Sequence, residues 1–330
     1  MLALRPPAVT FRRARHGGSR LLRVVRVPKF GVENLVVADA DDPRPAGGEV
    51  LIATEAATIN PSDAGIVSGA MASRFPPGAE PPYTPGWDLA GRVTAVGHGV
   101  NASLVGQRVV GFSAWFVTGR GTQASMVALP ATDVAVAPEG LAAAQLTTIG
   151  LNGLTAWRGL DELHLAPGET LAVAGAAGAV GGFALDLAVA KGFEVAAIVH
   201  ERDRPEVLAR GAAHAITPGS SGAGAAVREA IPSGVDALLD TASIGAPALA
   251  AIRDRGRYAS VTVVPDTERG ITVTRVYARM DPVGLPALVQ KASEGRLHTP
   301  VARQFDVSEA QAAYLEFSSG PHRGRIVLTF

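Results

Sequence analysis

The 330-residue sequence contains no cysteine. This absence excludes disulfide bonds, thiolate nucleophiles and thiolate-ligated metal sites. The chain also lacks net charge, because thirty basic residues balance thirty acidic ones. A neutral chain has no overall field that would attract nucleic acid or an anionic membrane, so neither is expected as a partner.

Long apolar segments are missing too. Every stretch of about eighteen residues is interrupted by a charge or a glycine, so no membrane span is predicted and a cytoplasmic location is expected. The first twenty residues hold five arginines and no acidic residue, but no apolar stretch follows them as an export signal requires. Segment 1–20 is therefore predicted to be a disordered extension or leader, with an organelle transit peptide as the alternative.

The hydrophobic pattern divides the rest of the chain into two parts. Up to about Val136, short β-like runs alternate with Gly and Pro, which is typical of a small all-β barrel or sandwich. After Pro138, strand and helix patterns alternate as in parallel βαβ units. The predicted strands are 21–27, 35–38, 50–59, 90–96, 108–112 and 123–128 in the first part, and 170–174, 194–199, 213–216, 237–239, 257–263 and 271–276 in the second, followed by a helix at 283–294 and strands at 301–305 and 325–330.

A run of small residues follows the strand at 170–174 and opens a predicted helix at 180–191. Small residues permit a tight turn, close approach of a pyrophosphate to backbone N–H groups, and close packing of the helix on the sheet. Ala176 takes the first glycine position of the G-x-G-x-x-G fingerprint, so the match is imperfect. The alternative is a tightly packed turn without a ligand. The run predicts a dinucleotide site formed by Gly175, Ala176, Ala177, Gly178, Ala179, Val180 and Gly181.

The end of the next strand indicates which dinucleotide is bound. An Asp or Glu at this place normally binds the ribose 2′-hydroxyl of NAD. Here the strand ends at Val199, and His200 and Arg202 follow, which suit a 2′-phosphate. The sequence therefore favours NADPH. Glu201 and Asp203 are the counter-evidence, because either carboxylate could reach a ribose.

Several motifs occur in an order that is similar to a known family. They are the Asn-Pro-Ser-Asp run at 60–63, then 85–93, 96–97, 106–109, 154–157 and the small-residue run. Together they resemble the zinc-free quinone oxidoreductases of the medium-chain dehydrogenase/reductase superfamily. The resemblance implies an α/β fold in which a Rossmann doubly wound parallel sheet, 147–278, is inserted into a GroES-like β-barrel catalytic domain, 21–146 and 279–330. It also implies a cleft between the domains and a homodimer.

The resemblance bears on metal binding as well. Zinc-dependent relatives carry a cysteine near the position of Asn60 and Gly-His-Glu where this chain has Gly86-Trp87-Asp88. With no cysteine and a tryptophan in the histidine position, the zinc site of the superfamily cannot be assembled, so no metal is expected.

The implied chemistry is hydride transfer from NADPH to a small-molecule substrate, a quinone or an α,β-unsaturated carbonyl, which needs no Lewis acid. By resemblance, Asn60 binds the nicotinamide amide or the substrate oxygen, and Tyr83 is a second catalytic candidate, with core packing as its alternative. Two other functions stay open: a cofactor-binding protein with little turnover, and a tailoring enzyme for one specific substrate. The remaining residues expected beside the cofactor are Thr155, Thr241, Val261 and Val263.

Overall fold

A computed structural model of the protein describes residues 22–41, 43–320 and 322–330, so the predicted leader at 1–20 lies outside the described residues. The strands are β1 (Leu22–Arg26), β2 (Val36–Ala40), β3 (Glu49–Ile59), β4 (Asp88–Val96), β5 (Arg108–Phe112), β6 (Met126–Pro130), β7 (Val134–Val136), β8 (Thr170–Ala174), β9 (Glu194–Ile198), β10 (His214–Ile216), β11 (Val235–Asp240), β12 (Ile252–Ser260), β13 (Thr272–Arg275), β14 (Val301–Asp306) and β15 (Arg325–Thr329). The helices are α1 (Pro61–Ser68), α2 (Trp115–Thr118), α3 (Ala143–Leu146), α4 (Leu154–Glu162), α5 (Ala179–Ala190), α6 (Arg204–Ala209), α7 (Ala223–Ala230), α8 (Gly284–Ser293) and α9 (Ala310–Ser318).

The alternating second part builds a parallel sheet. Among the described residues it has six strands in the order β10-β9-β8-β11-β12-β13, with every neighbouring pair parallel. Counted from β8, this order is 3-2-1-4-5-6, which is the order of a Rossmann fold. The apolar β8 and β11 are buried almost throughout, as expected for parallel strands covered by helices on both faces.

A second sheet joins the two ends of the chain. Its order is β14-β15-β3-β4-β5-β7, and β6 also pairs with β3. The last strand, β15, pairs antiparallel with β3, so that Ile326 lies opposite Ile59. The Rossmann sheet is therefore inserted into a GroES-like domain, which confirms the predicted fold class. One cluster of buried side chains runs from Phe112 and Trp115 to Leu171 and Phe183 and so connects the two sheets.

The prediction that the first part is all-β is wrong, because α1 and α2 lie within it. Helix α1 starts where the backbone N–H of Asn60 donates to Asp63 Oδ2 at 2.9 Å. Pro61 takes the first helical position, where its missing N–H costs nothing. An Asn-Pro-x-Asp run is thus a helix start as well as a family motif.

The predicted strand at 257–263 is shifted. Strand β12 begins at Ile252 and ends at Ser260, so Val261 and Val263 follow it rather than belong to it. The strand begins at Ile252 because this residue already pairs with Val235 of β11. Its second half, from Arg257 to Ser260, also pairs with β13. Over the described ranges, no helix combines the length and the apolar character needed to cross a bilayer.

Candidate active site

The small-residue run forms a tight turn between β8 and α5. Gly175 has φ 75°, a left-handed conformation that favours glycine. Gly178 precedes the first residue of α5, and no side chain caps that helix end. The N-terminal N–H groups of α5 are therefore available to an anion, with the helix dipole in its favour.

The same turn leaves no room for larger side chains. A Cβ on Gly181 would collide with the carbonyl oxygen of Gly175, and Ala176 is fully buried. Both observations fit a turn that a pyrophosphate approaches through its backbone. The residues predicted from the sequence, from Gly175 to Gly181, are therefore brought together at the carboxyl end of β8.

The loop after β11 is fixed against this turn. Thr241 Oγ1 donates a hydrogen bond of 2.6 Å to the carbonyl of Ala174, the last residue of β8. Asp240 is buried and accepts hydrogen bonds from the N–H of Gly245 at 2.9 Å and from the Tyr258 hydroxyl at 2.8 Å. Thr241 consequently lies at the edge of the predicted cofactor turn.

The end of β9 carries the charged residues that the sequence assigns to the dinucleotide. Asp203 is buried and forms an ion pair with Arg323, from the segment that leads into β15. Arg323 Nη2 also donates to the carbonyl of Arg202 at 3.0 Å. His200 is exposed, and the Arg202 side chain is 62% exposed, with its Nε 3.8 Å from Asp203 Oδ2. Glu201 Oε2 accepts from Thr217 at 3.1 Å.

Three other predicted cofactor residues lie in different surroundings. Thr155, in α4, is buried, and its hydroxyl donates to the carbonyl of Leu151 at 2.6 Å. Val261 is half-buried, directly after β12, whereas Val263 is 61% exposed. Because the protein leaves Val263 mostly exposed, its contact with the cofactor stays a prediction.

Asn60 lies at the centre of a buried polar network at the end of β3. Its Nδ2 donates to Thr58 Oγ1 at 3.0 Å and to Asp88 Oδ2 at 3.4 Å. Its Oδ1 accepts from Asn152 Nδ2 at 3.2 Å. Asn152 in turn accepts from Arg325 at the start of β15. Three groups, from Thr58, Asp88 and Asn152, thus orient the amide of Asn60, and Arg325 in turn holds Asn152.

Two buried carboxyl groups give this network its electrostatic character. Burial and, second, the nearby charge of Asp88 raise the pKa of Asp63 to about 7, against hydrogen bonds donated by the N–H groups of Asn60 and Gly86 that lower it. Burial also raises the pKa of Asp88. Burial lowers the pKa of the Arg325 guanidinium to about 10. The network is therefore sensitive to protons near neutral pH.

Tyr83 lies in an aromatic cluster rather than in the Asn60 network. Its ring stacks on Phe30 at 5.7 Å and meets Phe75 edge to face at 5.0 Å. Nearby, Trp115 Nε1 donates to the carbonyl of Thr84 at 2.7 Å. Within the described part of the chain, no hydrogen bond joins Tyr83 to Asn60, so the structure does not bring the two catalytic candidates together.

Sequence reasoning missed Asn152, Arg323 and Arg325. Asn152 lies in a π-helical turn, Ile149–Gly153, just before α4, and both arginines lie at the returning end of the chain. No local pattern marks such residues, because their partners are more than 90 positions away. In the part of the chain that the structure describes, no three His, Asp or Glu side chains form a group suited to a metal ion.

Two family models match the chain. Residues 46–139 match the model described as an alcohol dehydrogenase GroES-like domain, and residues 210–328 match the model described as a zinc-binding dehydrogenase. The first match lies within the GroES-like domain. The second covers the Rossmann strands from β10 to β13 and the strands β14 and β15, which return to the GroES-like domain.

Known proteins are similar over larger regions. Quinone oxidoreductase from Pongo abelii is 33% identical over 202 residues, which are 60% of this chain and 59% of that relative, so the matched region spans little more than half of its length. A solved alcohol dehydrogenase superfamily protein from Novosphingobium aromaticivorans is 28% identical, with a TM-score of 0.80 over 94% of this chain and 99% of that one. The quinone oxidoreductase from Coxiella burnetii shares the fold, with a TM-score of 0.82 over 94% and 100% of the two chains at 23% identity.

Proposed function

We propose, since the chain belongs to the quinone oxidoreductase-like family of the medium-chain dehydrogenase/reductase superfamily, that it reduces quinones or α,β-unsaturated carbonyls with NADPH and without zinc. Members of this superfamily bind NAD(P), and the small-residue turn at Gly175 to Gly181 supports the same binding here.

The observation that carries the cofactor preference is the ion pair between Asp203 and Arg323. The pair holds the Asp203 carboxylate in the protein interior, and this carboxylate could otherwise bind a ribose 2′-hydroxyl. His200 and the exposed Arg202 guanidinium remain at the end of β9, where they would bind a 2′-phosphate. NADPH is consequently favoured over NADH.

The residues of the chain would position the reactants. The bound nicotinamide supplies a hydride, and the backbone of the α5 turn would hold the pyrophosphate. The Asn60 amide is the proposed contact of the acceptor oxygen or of the nicotinamide amide. Both of its N–H groups already donate, to Thr58 and Asp88, and the side chain is buried, so it would have to give up one of these bonds to reach a reactant. A hydrogen bond to the developing oxyanion suffices for an electron-poor acceptor, so this reaction needs no zinc. The lack of cysteine, and the presence of Trp87 where zinc-dependent relatives have histidine, support the same proposal.

The surroundings of Gly65 bear on the source of the proton. The family resemblance implies a tyrosine at the position of Gly65. A Cβ at that position would lie 2.7 Å from Met71 Cγ. No larger side chain fits there without moving Met71. This observation favours solvent as the proton source. It also supports the second candidate, a cofactor-binding protein with little turnover.

The test follows the absorbance of NADPH, and separately NADH, with a naphthoquinone, a simple enone and a crotonyl thioester in the presence of a chelator. We expect acceptor-dependent oxidation with NADPH preferred. Binding of NADPH without oxidation by any acceptor would support the cofactor-binding protein instead. Conversion of substrate by NADP⁺ alone would support a tailoring enzyme.

We also propose that the protein forms a homodimer. Strand β13 is an edge strand of the parallel sheet, with one side of its backbone unpaired in the described chain. Tyr277, just beyond it, is half exposed. Light scattering is expected to give twice the mass of one chain, and a monomer mass at micromolar concentration would contradict the proposal.

A further inference from the structure

Trp87 carries a buried N–H group that has no acceptor. The residue is 6% exposed, and over the described parts of the chain its Nε1 has no hydrogen-bond partner. A buried donor in this state costs free energy, because it has given up its bond to water without a replacement. The indole nitrogen can only donate, so the acceptor that it lacks must be an electron-rich atom such as a carbonyl oxygen.

Both chain neighbours of Trp87 are bonded to the segment that begins at Asn60. On one side, the N–H of Gly86 donates to Asp63 Oδ1 at 2.7 Å. On the other side, Asp88 Oδ2 accepts from Asn60 Nδ2 at 3.4 Å. Consecutive Cα atoms are about 3.8 Å apart, so these two bonds hold the backbone of Trp87 directly beside the Asn60 segment.

Two phenylalanines pack against the indole ring of Trp87. The Phe116 ring meets it edge to face, with the ring centroids 5.0 Å apart. The Phe112 ring is tilted against it, with the centroids 6.1 Å apart. Ring packing, and not a hydrogen bond of Nε1, therefore holds the indole in place. A donor that is fixed in this way needs no reorganisation when negative charge develops next to it, as an oxyanion site requires.

The unused N–H of Trp87 contrasts with the amide of Asn60, whose two N–H groups already donate to Thr58 and Asp88. Ser62, two residues after Asn60, also has a buried hydroxyl oxygen without a partner among the described residues. Unused hydrogen-bonding capacity therefore occurs on both of the bonded segments. A catalytic role is one of the few reasons for which a folded protein keeps buried polar groups unsatisfied.

We propose that Trp87 is a catalytic residue whose Nε1–H donates to the carbonyl oxygen of the acceptor. The proposal rests on the proposed function and leaves Asn60 to orient the nicotinamide amide. When hydride from NADPH forms the new C–H bond at the β-carbon of an enone, the electron pair of the C=C bond moves and negative charge develops on this oxygen. Trp87 stabilises that charge and keeps its proton, and the α-carbon takes a proton from solvent.

The first test removes the donor and keeps an aromatic ring. In W87F, kcat/KM for the enone or enoyl thioester that reacts fastest is expected to fall about a hundredfold, mostly in kcat, because the lost bond acts on charge that develops in the transition state. W115F is the matched control. Trp115 is also buried and packs on the same Phe116 ring at 5.8 Å, but its Nε1 donates to the carbonyl of Thr84 at 2.7 Å. Its kcat/KM should change less than about threefold.

Stability should change in the opposite order. W115F leaves the carbonyl of Thr84 without its donor, whereas W87F removes a donor that has no acceptor in the described chain. The urea concentration at the midpoint of unfolding is therefore expected to be lower for W115F than for W87F. The variant that loses more activity would then be the more stable of the two, which a merely structural role of Trp87 does not produce.

Nuclear magnetic resonance of the ¹⁵N-labelled indole groups observes the donor directly. The chain has three tryptophans, so the signal that is missing from the spectrum of W87F belongs to Trp87. The acceptor is added to the complex with NADP⁺, in which no hydride is available. We expect the N–H proton of Trp87 to move downfield, and further than that of Trp115, because only the Trp87 donor gains a new acceptor.

The outcomes separate this proposal from the proposed function. A Trp87 signal that does not move, or a kcat/KM that falls equally in W87F and W115F, would overturn the role of Trp87 while leaving the reductase intact. If no acceptor oxidises NADPH, the proposed function fails, and cyclohex-2-enone added to the NADP⁺ complex still tests the donor. A downfield shift of the Trp87 signal then supports the site, and an unchanged signal overturns it.

Discussion

At the scale of the residue, the buried network around Asn60 explains why several polar side chains occupy the interior. Asp63 accepts hydrogen bonds from two backbone N–H groups, those of Asn60 and Gly86, at 2.9 and 2.7 Å. Asp88 accepts from the N–H of Leu151 at 3.2 Å. These bonds offset part of the cost of burying two carboxyl groups, which would be unfavourable without them.

The raised pKa of Asp63 predicts a pH dependence of stability. Its folded pKa of about 7 exceeds the ordinary pKa of 3.8, so the folded state binds the proton more tightly than the unfolded state. The associated stability is complete below pH 3.8 and is lost as the pH rises through 7. We expect the free energy of unfolding, measured with urea, to fall by about 1 kcal/mol between pH 6 and pH 8.

The D63N variant tests the origin of that slope. An amide cannot accept both N–H bonds, so the variant is expected to be less stable by about 1–3 kcal/mol at pH 6. Its stability should nevertheless change little from pH 6 to pH 8. An unchanged slope in D63N would assign the titration to another group, such as Asp88.

At the scale of the element, periodicity predicted the parallel sheet because its strands are short apolar runs bounded by Gly and Pro. The strand at 170–174 has the bounds of β8, and Gly192, the predicted end of α5, has φ 77°. Prediction failed for two elements that no hydrophobic pattern marks. Helix α1 depends on the Asp63 contact, and the first half of β12 is the charged segment 253–255.

The residues of the candidate site divide in the same way. The α5 turn was predictable, because the size of its residues and the flanking elements are local properties. Asn152, Arg323 and Arg325 were not, because only the folded chain brings them to Asn60 and Asp203.

The packing of α5 gives a test of the cofactor turn. In G181A, the new Cβ would collide with the Gly175 carbonyl, so the helix end must move away from the turn. We expect the Kd for NADPH, measured by fluorescence, to rise about tenfold or more. The control is G140A, because a Cβ at Gly140 meets no atom within 4 Å. Equal affinity in the two variants would contradict the assignment of the turn.

At the scale of the whole molecule, the returning segment of the chain couples the two domains beside the proposed cofactor site. Arg323, just before β15, pairs with Asp203 just after β9, and Arg325 in β15 bonds to Asn152 before α4. The same short segment thus supports both the end of β9 and the Asn60 network. Removal of either arginine would leave a buried polar group without its partner, which is costly.

Cofactor preference is expected to depend on this interdomain contact. In R323Q, Asp203 loses its guanidinium and becomes free to bind a ribose 2′-hydroxyl. The ratio of the Kd values for NADH and NADPH should then shift about tenfold towards NADH. The double variant R323Q/D203N should restore the original preference, because position 203 then has no carboxylate to offer. A ratio that R323Q leaves unchanged would show that Asp203 plays no part in cofactor selection.

Hydride transfer itself is tested most directly by isotope transfer. The protein is incubated, in the presence of a chelator, with NADPH that carries deuterium at both C4 positions of the nicotinamide and with the enone or enoyl thioester that gives the fastest oxidation, and the product is analysed by mass spectrometry. The account predicts a saturated carbonyl product with one deuterium at the β-carbon and one NADP⁺ formed per product. An unchanged acceptor in the presence of bound NADPH, or a product without deuterium, would contradict it.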